Sequence, residues 1–260
     1  MIGGVDPDLL SGLALLIGGS LVLVLLAFRR LSLARAARWD VPEGLIALGL
    51  MLWLSSAGSG VAVLLRTGSL ESGPPTLAEA VLASAVGGLS AATYALARAW
   101  RGGSLRALGL VGAPGSVWLA ALGLAPAFLL LSAAWHLLIQ SLGAPTGPQR
   151  VLEGVLAEPD SAVAWATITY GVLIAPLVEE LLFRGFLLPP LTRRLGRSLA
   201  VVLTALLFGL LHLSDPASVP PLVAFGLALG GLRQWSGSLG PSVLLHALNN
   251  AAAFGLALWG

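Results

Sequence analysis

The chain contains no cysteine and no lysine; its fourteen basic residues are all arginine. No thiol nucleophile, disulfide, thiolate-ligated metal or lysine Schiff base is available to it. The missing cysteines therefore carry no information on redox compartment. Charge is scarce as well. Charged residues make up 10% of the 260 and hydrophobic ones 57%, whereas a soluble domain is about a quarter charged. The apolar residues fall in blocks rather than at amphipathic spacing, which assigns the chain to a bilayer. The pI near 9.9 goes with a net charge of only +2. No basic cluster is interleaved with aromatics, so no nucleic-acid partner is expected. Other intramembrane protease chemistries drop out by inspection. There is no Gly-x-Ser-Gly nucleophile motif. Asp6, Asp8, Asp40, Asp160 and Asp215 all fall in loops or at span ends, which leaves no aspartyl dyad.

Eight apolar stretches can be drawn, at 9–28, 43–65, 77–97, 116–139, 162–188, 198–213, 220–235 and 241–258. A helix needs about 20 residues to cross the hydrocarbon, so the sixth and seventh are short. The expected fold is all-α, a polytopic transmembrane bundle of about eight spans with a buried polar catalytic cavity in its C-terminal half. Asp6 and Asp8 stand where a cleavable signal needs positive charge, so the run 9–28 is expected to be a span. The arginines test the count. Arg29, Arg30, Arg35, Arg38, Arg98, Arg101, Arg106, Arg193, Arg194, Arg197 and Arg233 fall on one side if eight spans alternate; Arg66 and Arg150 fall on the other. Because cytoplasmic loops collect arginine, both termini are expected outside the cytoplasm, in a bacterial inner membrane. The segment 104–116 reads as a re-entrant or interfacial connector, and 140–160 as a solvated loop. One membrane domain, 1–260, is expected, with accessory spans in 1–103 and a catalytic core in 104–260.

Polar groups then appear where a membrane disfavours them. The fifth stretch contains Pro176, Glu179, Glu180 and Arg184. A charge at mid-bilayer costs roughly 2.5–3.5 kcal/mol on insertion scales. Glu180 and Arg184, at i, i+4, can pair on one face. Glu179, about 100° round the helix, is left without a local partner. A lone carboxylate in a poorly solvated site suits a general base. Pro176 frees a carbonyl one turn earlier and is expected to kink the helix beside a cavity. The sixth stretch offers Phe208 and His212; the eighth offers His246 and Asn250 on one face. Singly, the ion pair reads as a structural lock, His212 as a packing residue and His246/Asn250 as interhelical glue. Together, on three spans, they compose a water-activating pair, Glu179 with His212, and an oxyanion-binding pair, His246 with Asn250. His136, beside Trp135, reads as part of an aromatic belt.

At these residues the chain resembles the CAAX-protease and bacteriocin-processing (CPBP, or Abi) family of intramembrane endopeptidases, which includes the Ras-converting type of prenyl endopeptidase. Its Glu-Glu-x-x-x-Arg motif matches Glu179, Glu180 and Arg184. Phe-x-x-x-His matches Phe208 and His212, and His-x-x-x-Asn matches His246 and Asn250. The resemblance implies that Glu179 and His212 activate water, that His246 and Asn250 stabilise the oxyanion, and that Glu180 with Arg184 supports them. It implies a peptide or protein substrate with a membrane-embedded or lipidated tail, cleaved near a CAAX-like C-terminus or in a juxtamembrane segment, with membrane lipid as the other partner. It leaves the metal open. Glu179, His212 and His246 could supply a zinc shell, or the same residues could act without one; the His-Glu-x-x-His zinc signature is absent. Two readings from other classes stand beside the protease: a proton-coupled transporter using the buried ionisable groups as a relay, and a non-catalytic scaffold or immunity protein.

Overall fold

The computed structural model describes residues 39–70, 73–102, 105–143 and 150–259, and among these every regular element is helical. The predicted span 9–28 lies outside the described residues. The other seven apolar stretches each coincide with a helix or a chain of helical segments. In order these are α1 (Val41–Thr67), α2 (Leu77–Arg101), α3 (Gly115–Ser141), α4 (Arg150–Ala157), α5 (Ala162–Thr169), α6 (Ala175–Glu180), α7 (Leu188–Leu195), α8 (Arg197–Leu210), α9 (Val219–Ser236) and α10 (Gly240–Trp259). Four of them, α1, α2, α3 and α10, are long and apolar enough to cross a membrane. In α3 only 11% of the apolar window is buried, and Leu119, Leu130 and Leu137 are exposed. A helix that shows leucine outward on this scale has hydrocarbon as its solvent.

The segment expected as a solvated loop at 140–160 is in part a helix. Gln140 still belongs to α3, and α4 packs Val155 against Ala164 and Phe254. Val151, Leu152 and Val155 recur at helical spacing, enough apolar surface to fold one short face down. Glu153, Glu158 and Asp160 stay exposed as expected. In the connector after α2, Leu105–Leu108 forms a single 3-10 turn with Leu108 buried.

The run from Ala162 to Leu195 is one helical path interrupted by two π segments, Tyr170–Ile174 and Leu181–Leu187. In the first, the Ala175 N–H reaches back five residues to the Tyr170 carbonyl. Pro176 follows at once. Lacking an N–H, it cannot complete an α-type bond to Val172, and the wider turn absorbs the mismatch where a kink was expected. The second π segment ends where the Leu188 N–H bonds the Phe183 carbonyl. Pro190 has no N–H for the carbonyl of Phe186. That carbonyl instead accepts the Trp39 indole N–H at 2.6 Å, with the Trp39 and Phe186 rings stacked 5.1 Å apart. All of 181–188 is buried, and these residues with Phe208, Leu229 and Leu245 form the centre of the core.

Arginines close the same end of the bundle. Arg193 donates to the Trp39 carbonyl at 2.5 Å, Arg194 binds Asp40, and Arg233 donates to the Ala107 carbonyl at 3.0 Å. Arg98, expected just past a span, lies in the last turn of α2. It is buried and pairs with Glu43 at 3.4 Å. Glu43 also completes the capping box of α1 by accepting the Asp40 N–H at 3.0 Å, so one carboxylate serves both the helix start and the neighbouring helix.

Asp40 gives a pH-dependent handle. The Arg194 hydrogen bond, and after it the Val41 amide, hold its carboxyl below the usual range. A group whose pKa is depressed in the folded state stabilises fully above its unfolded value, about 3.9, and loses that contribution as pH falls through the folded value. The pair is largely exposed, so the effect is small. Asp40→Asn is expected to lower Tm slightly at pH 7, and the difference from wild type should close below about pH 4. A gap that persisted in acid would show that the ion pair is not its source.

Candidate active site

Glu179 and Glu180 are consecutive residues at the end of α6, so they leave the helix about 100° apart and meet different surroundings. Glu180 is sealed, with a side chain 0% exposed, whereas that of Glu179 is 26% exposed. This difference assigns the two carboxylates different work. Glu180 Oε1 accepts Arg184 Nη1–H at 2.9 Å, the i, i+4 pair expected from spacing, and also His246 Nδ1–H at 3.0 Å from α10. Arg184 spends Nη2 on the Gly226 carbonyl in α9, at 3.1 Å. A Cβ on Gly226 would lie 3.3 Å from that same nitrogen, so the glycine lets the guanidinium reach the backbone. The other side of the guanidinium is covered by the Phe208 ring, with Cζ 4.7 Å from its centroid, a cation–π contact that steadies a buried charge.

The histidine tautomers follow from their partners. His246 faces an acceptor-only carboxylate through Nδ1, so the proton sits there and Nε2 points toward Glu179 Oε2, 3.8 Å away. His212, at the C-terminal end of α8, holds Nδ1 2.8 Å from the Phe208 carbonyl. Its Nδ1 carries the proton, and Nε2 offers a lone pair. Phe208 joins the two: its ring lies 5.0 Å from the His212 ring and 5.7 Å from that of His246, the second contact at 83°. Asn250 is drawn to the first π segment, where its Nδ2 donates to the Gly171 carbonyl at 2.8 Å. One amide hydrogen is used there.

Glu179 and His212 line one cavity of about 250 Å³. Phe208 and Tyr170 contribute to it as well, and one wall comes from α1 and α2. The structure thus bonds Glu180, Arg184 and His246 into one cluster with Glu179 3.8 Å from His246, sets His212 in the same cavity as Glu179, and ties Asn250 to the backbone beside Tyr170. Among the described residues no three His, Asp or Glu side chains stand close enough together to hold a metal ion. His136 repeats the His212 pattern, with Nδ1 2.8 Å from the Ser132 carbonyl, and Trp135 donates to the Ala217 carbonyl. Neither lines the cavity.

Sequence reasoning missed the His246–Glu180 bond and Tyr170; it expected accessory spans shaping substrate access in 1–103 but named no residue of α1 or α2 that lines the cavity. Tyr170 carried a weak signal, as a phenol inside an apolar stretch; the rest are contacts between distant segments with no local spacing to betray them.

Residues 161–252 match the family model described as Type II CAAX prenyl endopeptidase Rce1-like. All of Glu179, Glu180, Arg184, His212, His246 and Asn250 fall within that stretch. No curated protein and no solved structure gives a significant match. The family match bears out the resemblance to the CAAX-protease family. It supports a protease of the CAAX type and, with the four long apolar helices, an integral membrane protein.

Proposed function

We propose that this protein is an intramembrane endopeptidase in which Glu179 is the general base and no metal is required. The observation that carries the reading is the split between the two adjacent carboxylates. Glu180 is consumed by Arg184 and His246, while Glu179 alone reaches the cavity shared with His212. A water held between Glu179 and His212 Nε2 loses a proton to Glu179 as its oxygen attacks the peptide carbonyl carbon. The oxyanion is met by the second amide hydrogen of Asn250 and by Nε2–H of His246 in its imidazolium form. Glu179 then passes its proton to the leaving amine as the C–N bond breaks. Since the cavity is screened from bulk water, these donors count for more than they would in solution.

The substrate is a membrane-associated peptide, cleaved near a CAAX-like C-terminus or in a juxtamembrane segment that enters from the cytoplasmic leaflet. The arginine end of the bundle would face the cytoplasm of a bacterial cell, with both termini on the other side. Residues 104–260 would form the catalytic core and 1–103 its accessory spans. The test is incubation of the purified protein in lipid with a farnesylated CAAX-type peptide and a panel of unprenylated membrane peptides, followed by mass spectrometry. Cleavage at one bond, unchanged by a chelator, is expected. Loss of cleavage on chelation would overturn the metal-independent step, and an intact panel would overturn the enzyme.

A further inference from the structure

Five of the thirteen residues that line the cavity lie outside the stretch that matches the family. Opposite Glu179 and His212 stand Met51 and Ser55 on α1 and Ser84 and Gly88 on α2. Gly88 is bare backbone at a decisive place. A Cβ there would come within 3.1 Å of Val178 Cγ1, on the residue just before Glu179, and 3.7 Å from the Tyr170 hydroxyl. The lack of a side chain at 88 therefore lets α2 pack directly against the residue before the base. The wall is also rigid. A Cβ on Gly87 would lie 2.3 Å from Ser55 Oγ and 2.5 Å from the Met51 carbonyl, so α1 and α2 are in backbone contact and cannot close further. Ser55 turns its hydroxyl back to the Met51 carbonyl at 2.7 Å, which leaves that part of the wall largely apolar.

We infer that α1 and α2 form the specificity wall of the catalytic cavity, and that Met51, Ser84 and Gly88 limit the size of the uncharged substrate side chain held next to the scissile bond. The inference rests on the protease reading above. Its chemistry follows from the lining. An acidic side chain would meet Glu179 as a like charge, and a basic one would pair with Glu179 and quench the base. The volume of about 250 Å³ gives room for a side chain.

The experiment combines selectivity with binding. Peptides varied from Ala to Phe beside the cleaved bond are offered to wild type, Ser84→Leu and Met51→Ala. Ser84→Leu narrows the cavity and is expected to reduce cleavage of the large residues relative to Ala by about tenfold or more; Met51→Ala should shift preference the opposite way by a similar factor. Because the chain has no cysteine, Ser84→Cys in a Glu179→Gln background gives a single thiol. A peptide bound but not cleaved is expected to slow its alkylation. If wild type cleaves, both variants keep its selectivity and the thiol is not protected, the wall assignment falls while the protease stands. If wild type cleaves nothing, the protease falls, and thiol protection alone decides whether α1 and α2 bind peptide. Should Ser84→Leu fail to fold, Met51→Ala and the thiol decide the matter.

Discussion

Glu179→Gln is expected to lower kcat by roughly 10²–10⁴-fold with little change in stability. The substitution removes the only acid–base function that reaches the cavity from α6 but keeps its size and shape. The Glu180–Arg184–His246 cluster, which holds the fold, is untouched. KM should move little, since the amide still fills the same space and a missing proton acceptor acts on the transition state. The check is a kcat and KM determination with the cleaved peptide beside a thermal melt in lipid or detergent. Full activity in a folded Glu179→Gln variant would refute the assignment of the base. His212→Ala is expected to fall in the same direction, because Nε2 of His212 is the second acceptor offered to the water.

Arg184→Met is expected to have the largest effect on stability, a loss of about 3–5 kcal/mol. It leaves Glu180 charged, 0% exposed, and with His246 as its one remaining partner. It also frees the Gly226 carbonyl and removes the cation from the Phe208 ring. Since proteins are stable by only about 5–15 kcal/mol, the variant should accumulate poorly. Arg184→Lys is expected to rescue it only in part, because one nitrogen replaces the two that reach Glu180 and the Gly226 carbonyl separately. Glu180→Gln combined with Arg184→Met should recover much of the loss, because no unpaired charge then remains. Melts of the two single variants and the double variant measure the coupling directly. A double variant no more stable than Arg184→Met alone would locate the cost in packing rather than in the stranded carboxylate.

These two outcomes separate what sequence could foretell from what it could not. The Glu180–Arg184 pair was legible because spacing of four on a helix fixes which side chains are neighbours. Arg98, Arg193 and Arg194 meet around Trp39, Asp40 and Glu43 at the start of α1. What escaped depends on which helices become neighbours. His246 reaches Glu180 across 66 residues and Trp39 reaches Phe186 across 147; no periodicity encodes either. The polarity of 140–160 hid α4, whose apolar face is three residues wide. The accessory role of the spans in 1–103 was expected, but which of their residues line the cavity depends on helix neighbours and was not legible.

The second π segment has a consequence for how such a site can be altered. Its turn contains one residue more than an α turn, as the five-residue bond from Leu188 to Phe183 shows. A wide turn takes up its extra residue while the helix on either side keeps its facing. Deleting one residue of Leu181–Leu187 would therefore let ordinary four-residue bonds form and leave α6 and α7 facing much as they do now. The same deletion in a regular α stretch would turn everything beyond it by about 100°. What the loss of a residue would change here is the local turn between Glu180 and Leu188, rather than the aim of Glu179 and Glu180.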